Sequence, residues 1–206
     1  MRSLRLGMVG VAGGALLAAL ACRDNAPPPP VQTSRLHFVV EASTAPPLYH
    51  DTVSFLVTVG QSADTGIYYR DPSDSTAAGE EFLRFEVPGD GLLRRPDGTL
   101  LKPGDTVRIS IRVEHPDTLA FLFQPSGLQF NPNDPARLKV QYNHSDHDYN
   151  DDGTVDDADS TIQSQLDAWK NDPPSTLWFK QSGVNFESLQ EIDVNVFSFS
   201  QFAIAW

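Results

Sequence analysis

The alternation of apolar and polar residues is most regular at residues 107–114. Four apolar residues there alternate with Arg108, Ser110, Arg112 and Glu114, so an extended chain would carry all the apolar side chains on one face. Similar apolar runs lie at 36–42, 53–59, 82–87, 119–123, 138–142, 177–179, 192–197 and 202–206. Clusters of Pro, Gly and Asp separate several of them, as in turns. Short strands at this spacing predict an all-β fold, with an antiparallel sandwich or barrel as the alternatives; we expect a β-sandwich over residues 35–206.

One segment departs from the β pattern. Ile162, Leu166 and Trp169 have the i, i+4, i+7 spacing of one helical stripe and predict a helix over about residues 157–170. Pro173 and Pro174 follow and cannot continue a helix. We expect this helix and the acidic residues before it to form an insertion, residues 146–171, in the sandwich.

The acidic residues before the predicted helix have the pattern of an EF-hand-type calcium loop. Ca²⁺ takes six to eight oxygen ligands, and such a loop supplies them from positions 1, 3, 5, 7, 9 and 12. These positions are occupied here by Asp148, Asn150, Asp152, Thr154 (through its backbone carbonyl), Asp156 (through water) and Asp159. Gly153 stands at position 6, where the chain turns sharply with positive φ. Val155, at position 8, is expected to pack inward. The alternative interpretation is a solvated acidic turn without an ion.

The N-terminal residues have the order of a secretory signal. Arg2 and Arg5 precede an apolar run that is too short to span a bilayer comfortably, and Cys22 follows directly. We predict a signal peptide at residues 1–21 and lipidation of Cys22, which resembles the cysteine of a bacterial lipoprotein motif. An ordinary cleaved signal with an incidental cysteine is the alternative. Residues 22–34, with four consecutive prolines, are predicted to be a lipid-anchored, semi-rigid linker.

Composition narrows the possible partners. Asp and Glu outnumber Lys and Arg by 27 to 15, for a formal net charge of −12. Nucleic acids and anionic lipid surfaces require a basic protein surface, so neither is expected as a partner. The single cysteine excludes an internal disulfide framework, so stability depends on the apolar core.

Two resemblances to known families add expectations. The loop and the helix that follows it, about residues 148–170, resemble dockerin repeats and other exported calcium loops. Dockerins carry two repeats and this chain has one, so no cohesin-binding role is expected. The segments 124–132 and 198–204 resemble bacterial lipoprotein relatives of the β-sandwich domain of ankyrins and netrin receptors, the ZU-five domain. Some relatives cleave themselves at a His-Phe-Ser stretch, but Ser198 replaces that histidine here, so no self-cleavage is expected. The family implies a structural and interaction fold.

Other chemistry has weaker support in the sequence. No G-x-S-x-G, H-E-x-x-H or P-loop motif is present. His144 and His147 flank Asp146 but have no third metal ligand nearby in sequence. Three tryptophans could form a sugar-binding platform or belong to the core, and the core interpretation is favoured by their positions on apolar stripes.

These observations predict an exported, calcium-binding lipoprotein of the bacterial cell envelope, with a structural or interaction role and no enzymatic activity. We expect it to contact the membrane through lipid at Cys22 and to have a protein or glycan partner. The alternative is a calcium-dependent carbohydrate- or cell-wall-binding module. A hydrolase fragment is the third hypothesis.

Overall fold

The strand at Thr106–His115 shows why this sequence forms sheets. Val107, Ile109, Ile111 and Val113 are buried, whereas the residues between them are exposed or half-buried. Side chains alternate between the faces of a strand, so this order of residues buries one face and hydrates the other. The same rule holds for Ala136–Gln141, in which alternate side chains are buried.

The computed structural model describes residues 28–115 and 117–206, and their elements follow in chain order. The strands are β1 (Val31–Gln32), β2 (Thr52–Thr58), β3 (Ala63–Arg70), β4 (Ala78–Val87), β5 (Leu92–Arg94), β6 (Thr106–His115), β7 (Thr118–Gln124), β8 (Gln129–Phe130), β9 (Ala136–Gln141), β10 (Asp167–Asn171), β11 (Leu177–Lys180), β12 (Gly183–Phe186), β13 (Glu191–Val196) and β14 (Gln201–Ala205). Helix α1 covers Asp157–Gln163, and single 3₁₀ turns cover Thr33–Arg35 and Glu187–Leu189.

The strands form two main antiparallel sheets. One sheet has seven strands in the order β1-β11-β10-β14-β7-β6-β2, and the other has five in the order β12-β13-β9-β4-β3. A small ribbon pairs β5 with β8. The predicted all-β, antiparallel sandwich with a short α-helix is confirmed.

Aromatic side chains join the two sheets in the core. The ring of Phe82 lies 5.7 Å from that of Phe121, and the ring of Phe85 lies 5.3 Å from that of Phe123, so strand β4 packs on strand β7. Phe199 lies against Phe85 at 5.4 Å. Such tilted and edge-on pairs contribute about 0.5–1.5 kcal/mol each beyond their area burial.

A second apolar layer covers the outer face of the seven-stranded sheet around β10, β11 and β14. Trp169, Trp178, Ala203 and Ala205 are buried there together with Leu36. The edge of Phe38 packs on Trp178 at 5.3 Å, and Val39 N–H donates to the carbonyl of Ile204 at 2.9 Å. We call residues 31–40 the N-terminal strap, because its backbone bonds to the ends of β14 and β7 while Leu36 and Phe38 pack on that layer.

The strap corrects the expected start of the domain at residue 35. Val31 and Gln32 pair with Trp178 and Leu177 in the sheet, and Trp178 Nε1 donates to Thr33 Oγ1 at 3.1 Å. Residues 31–34 therefore belong to the fold and not to a linker. The predicted strand at 36–42 is also wrong, since its residues make only isolated bridges.

The predicted helix over residues 157–170 is too long. Helix α1 ends at Gln163, and residues 167–171 form β10 between β11 and β14. Leu166 packs into the core between the sheets, whereas Trp169 packs into the layer under the strap, so the two do not share a helical stripe. A strand is favoured because both faces of β10 are buried. The insertion therefore ends before β10 and not at residue 171.

Candidate metal-binding loop and its surroundings

The predicted calcium loop, residues 148–159, connects β9 to α1 and is fixed at its base. Asp146 N–H donates to the carbonyl of Val40 at 2.8 Å, which ties the chain to the strap. Tyr149 is buried, with its hydroxyl 3.2 Å from Ser145 Oγ and its ring edge-on to Trp206 at 5.7 Å. Burial raises the pKa of the Tyr149 phenol to about 12. The phenol is therefore neutral, and its buried ring packs beneath the loop.

Asp148 folds the first half of the loop around its own carboxylate. Its two oxygens accept hydrogen bonds from Asp152 N–H at 3.1 Å and Gly153 N–H at 2.7 Å. Gly153 has a φ of 88°, a left-handed conformation that other residues adopt only with strain. The predicted sharp turn with positive φ at Gly153 is confirmed.

The next predicted ligands form a short chain of hydrogen bonds. Asn150 Oδ1 accepts from Asp152 N–H at 3.0 Å, and Asn150 Nδ2 donates to Asp152 Oδ2 at 3.1 Å. Asp152 Oδ1 accepts from the Thr154 hydroxyl at 2.7 Å and from Thr154 N–H at 3.0 Å. These bonds lower the pKa of the exposed Asp152 carboxyl, and the bond from the Thr154 hydroxyl has the largest effect.

Asp159 closes the loop from its far end. This residue is 2% exposed, and its carboxylate accepts from Asn150 N–H at 3.2 Å and from Asp156 N–H at 2.9 Å. Asp156 in turn caps α1 by accepting from Ala158 N–H at 2.7 Å. The two aspartates form a capping box, which satisfies N–H groups that a helix start leaves without partners.

The donor chemistry of the loop fits a hard cation, because its predicted ligands are carboxylate, amide and backbone oxygens. Within residues 28–115 and 117–206, however, no group of three or more His, Cys, Asp or Glu side chains is gathered closely enough to hold a metal ion. The carboxylates of Asp148, Asp152 and Asp159 are directed at the loop's own donors instead. An ionised carboxylate has about four lone-pair sites, so these bonds leave acceptor capacity for an ion. Calcium binding by Asp148, Asn150, Asp152, Thr154, Asp156 and Asp159 stays a prediction.

Two further features of the sequence in this region are Val155 and the pair of histidines that flank Asp146. Val155 is 69% exposed and does not pack inward. His144 Nε2 lies 3.0 Å from Glu80 Oε2, whereas His147 Nε2 lies 2.7 Å from the side-chain nitrogen of Gln190. The two histidines thus contact different residues and form no joint site with each other.

A concave surface adjoins the loop. A cavity of about 520 Å³ is bounded by Asp148 and Asp151 of the loop and by Trp206 and His37. The Trp206 and His37 rings are stacked, 5.4 Å apart with 23° between their planes. Trp169 and Trp178 belong to the apolar layer under the strap, as the core interpretation expects. Trp206 is half-buried and is the tryptophan that reaches the loop.

One further pair, Glu41 and Tyr69, could not be found from the sequence. The Tyr69 hydroxyl donates to Glu41 Oε1 at 2.9 Å, although the residues are 28 positions apart. Nothing in the local sequence around either residue signals such a long-range contact.

No family model matches this chain, and no curated protein or solved structure matches it either. Among the described residues, no helix has the length and apolar character that a transmembrane helix requires. The predicted signal peptide, residues 1–21, and the predicted lipidation site, Cys22, lie outside the described residues.

Proposed function

We propose that this protein is an exported calcium-binding lipoprotein of the bacterial cell envelope, with a structural or interaction role and no enzymatic activity. The observation that carries the proposal is the loop at residues 148–159. It combines an oxygen donor at each position that a calcium loop uses with a closed conformation and a glycine in the left-handed region at position 6. Calcium would offset the mutual repulsion of Asp148, Asp152, Asp156 and Asp159 and would fix the loop against the sheet.

Calorimetric titration of the full chain with Ca²⁺ tests the metal site. We expect a dissociation constant in the range of about 10⁻⁴–10⁻³ M, because the loop lacks a partner loop and ends on Asp instead of the longer Glu. Asp148→Ala and Asp152→Ala should abolish the binding heat. Asp157→Ala is the matched control, since Asp157 is an exposed acid of α1 that occupies no ligand position. Absence of binding at millimolar calcium would leave the segment as a solvated acidic turn.

The membrane anchor is tested separately. Mass spectrometry of the membrane fraction should find Cys22 as the N-terminal residue with acyl chains attached. Two or more chains suffice for stable attachment, so Cys22→Ser should release the protein or leave it unprocessed. An N-terminus at Arg23 or later without lipid would contradict this part of the proposal.

A second candidate function is calcium-dependent recognition of a carbohydrate or cell-wall glycan. The cavity between the loop and Trp206 favours it, because sugar sites combine aromatic faces with polar groups. A glycan array probed with calcium and with a chelator should show chelator-sensitive binding that His37→Ala weakens. His37 is exposed, so its removal should spare the fold. Binding that is unchanged by both treatments would exclude this site.

A further inference from the structure

A cavity of about 720 Å³ lies beside the metal-binding loop, at the end of the sandwich where residues 41–51 meet the β6–β7 turn. This volume is in the range of about 300–1,000 Å³ that small-molecule sites occupy. Val40, Leu48 and Val113 contribute to its lining together with Pro46 and Pro47. These side chains present an apolar surface to whatever fills the space.

Backbone hydrogen bonds hold the lining segments together. Val113 N–H donates to the carbonyl of Asp51 at 2.9 Å, and Glu41 N–H donates to the carbonyl of Asp117 at 3.1 Å. Asp146 N–H reaches the carbonyl of Val40 at 2.8 Å. The cavity is therefore formed by the fold itself and does not depend on the placement of a single mobile side chain.

Every charged residue in the lining is acidic. These residues are Glu41, Asp51, Glu114, Asp117 and Asp146. Within the described residues, the one ion pair that any of them makes is a long contact of 3.8 Å between Glu114 and Arg112. The cavity thus combines apolar walls with five acids, of which Glu114 alone has an ion-pair partner among the described residues.

Glu41 is the most constrained of these acids. It is half-buried, and its Oε1 accepts from the hydroxyl of Tyr69, which is 1% exposed. Burial raises the pKa of the Glu41 carboxyl, and the hydrogen bond from Tyr69 opposes that shift. A partly buried carboxylate without a cation is costly, so a bound cation at this point would offset the cost.

We propose that this cavity binds a primary ammonium group carried on an alkyl stem. The apolar walls suit the stem, and an ammonium can donate to a single carboxylate such as that of Glu41, so the acids need not be gathered around one point. A divalent metal ion suits the cavity less, since in the described residues these acids are not gathered into a metal-binding group. The same chemistry occurs in free diamines and in lysine side chains. The site is separate from the proposed calcium loop and does not rest on it.

Calorimetry of the full chain tests the proposal, with 1,5-diaminopentane as the free-amine probe and N-acetyl-lysine amide as the side-chain probe. We expect saturable binding of one or both, with 1-pentanol showing none. Glu41→Gln should weaken binding by roughly tenfold, because charge-assisted hydrogen bonds contribute more than neutral ones. The amide oxygen of glutamine can still accept from Tyr69, which should spare the fold.

Asp90→Asn is the matched control, because it removes one negative charge at an exposed turn outside the cavity. Equal affinity of the wild type and Glu41→Gln would overturn the proposal, as would equal weakening by Asp90→Asn, which would indicate general surface attraction. Chelator and Asp148→Ala should leave amine binding intact, so failure of the calcium proposal and failure of this one are distinguishable. If calcium instead competes with the amine in the Asp148→Ala variant, the cavity is a metal site and the ammonium assignment is wrong.

Discussion

Asp159 is the residue at which the loop and helix α1 are joined. Its carboxylate is buried and joins two parts of the loop that are distant in sequence, through Asn150 N–H and Asp156 N–H. A buried carboxylate needs such donors, because an unpaired buried charge is strongly unfavourable. Asp159 therefore has a structural role whether or not an ion binds.

Asp159→Ala should lower the free energy of unfolding in the absence of calcium. Two N–H groups lose a charged acceptor, and a hydrogen bond to a charged group contributes about 1.5–3 kcal/mol to stability. Urea denaturation in a chelator measures this effect. Asp157→Ala, an exposed acid two residues earlier, should change stability much less; similar losses in the two variants would contradict the role assigned to Asp159.

Glu41 gives the stability of the protein a specific pH dependence. Its pKa is raised in the folded state, mainly by burial; Tyr69 and His144 oppose this rise and Asp117 adds to it. The folded state therefore binds a proton more tightly than the unfolded state does. Stability contributed by this group is present at low pH and falls as the pH rises from the usual carboxyl range through the raised pKa.

Glu41→Gln should therefore stabilise the protein at neutral pH, because it removes the buried charge and keeps the acceptor for Tyr69. The gain in melting temperature should shrink as the pH falls through the raised pKa of Glu41 and should be gone below the ordinary carboxyl pKa of about 4.3. Thermal unfolding from pH 3 to pH 7 measures it, with Asp90→Asn for comparison. A gain that does not change with pH would show that charge burial is not the cause.

At the scale of elements, the sequence predicted the strands whose two faces differ. β6 and β9 alternate buried and exposed residues, so their period of two is visible in the sequence. β10 has buried residues on both faces, which removes the alternation that would have identified it. Ile162, Leu166 and Trp169 then matched a helical spacing by coincidence, and the helix was predicted to be longer than α1.

The candidate site likewise has features that the sequence predicts and features that it does not. The glycine turn and the helix start of the loop follow from local sequence, because their hydrogen bonds join residues within the loop. Val155 was expected to pack inward as the apolar residue at position 8 of the loop, but its side chain is 69% exposed. The contacts of Trp206 with His37 and of Glu41 with Tyr69 depend on tertiary packing, so the sequence alone could not predict them.

The double burial of β10 leads to a prediction about Trp169. Trp169→Ala should destabilise the protein by about 3–5 kcal/mol, because it leaves a cavity in the apolar layer under the strap. It also removes the hydrogen bond from Nε1 to the carbonyl of Ala205. Phe179→Ala on the neighbouring strand is the aromatic control, since Phe179 is 43% exposed. Denaturant unfolding of both variants measures the difference. Comparable losses would mean that Trp169 is not part of a second core layer.

For the whole molecule, the N-terminal strap decides whether the outer face of the seven-stranded sheet is buried near β10, β11 and β14. Trp178, Ala203 and Ala205 are among the residues it covers. Such residues would make an exposed apolar surface if the strap were absent, and large exposed apolar patches promote association. The sandwich therefore comprises three layers near β14: the five-stranded sheet, the seven-stranded sheet and the strap.

Deleting the strap should destabilise the entire protein. A variant that begins at residue 41 loses Leu36, whose burial alone contributes about 1.5–3 kcal/mol. It also loses the Val39–Ile204 and Asp146–Val40 backbone hydrogen bonds, so the base of the 148–159 loop is released. We expect a lower midpoint of denaturant unfolding and a red shift of tryptophan fluorescence, since Trp178 becomes hydrated.

A variant that begins at residue 28 keeps the strap and should match the processed protein in both measurements. If the two variants unfold at the same denaturant concentration, the strap is only a surface segment, and the outer face of the sheet is stable without it.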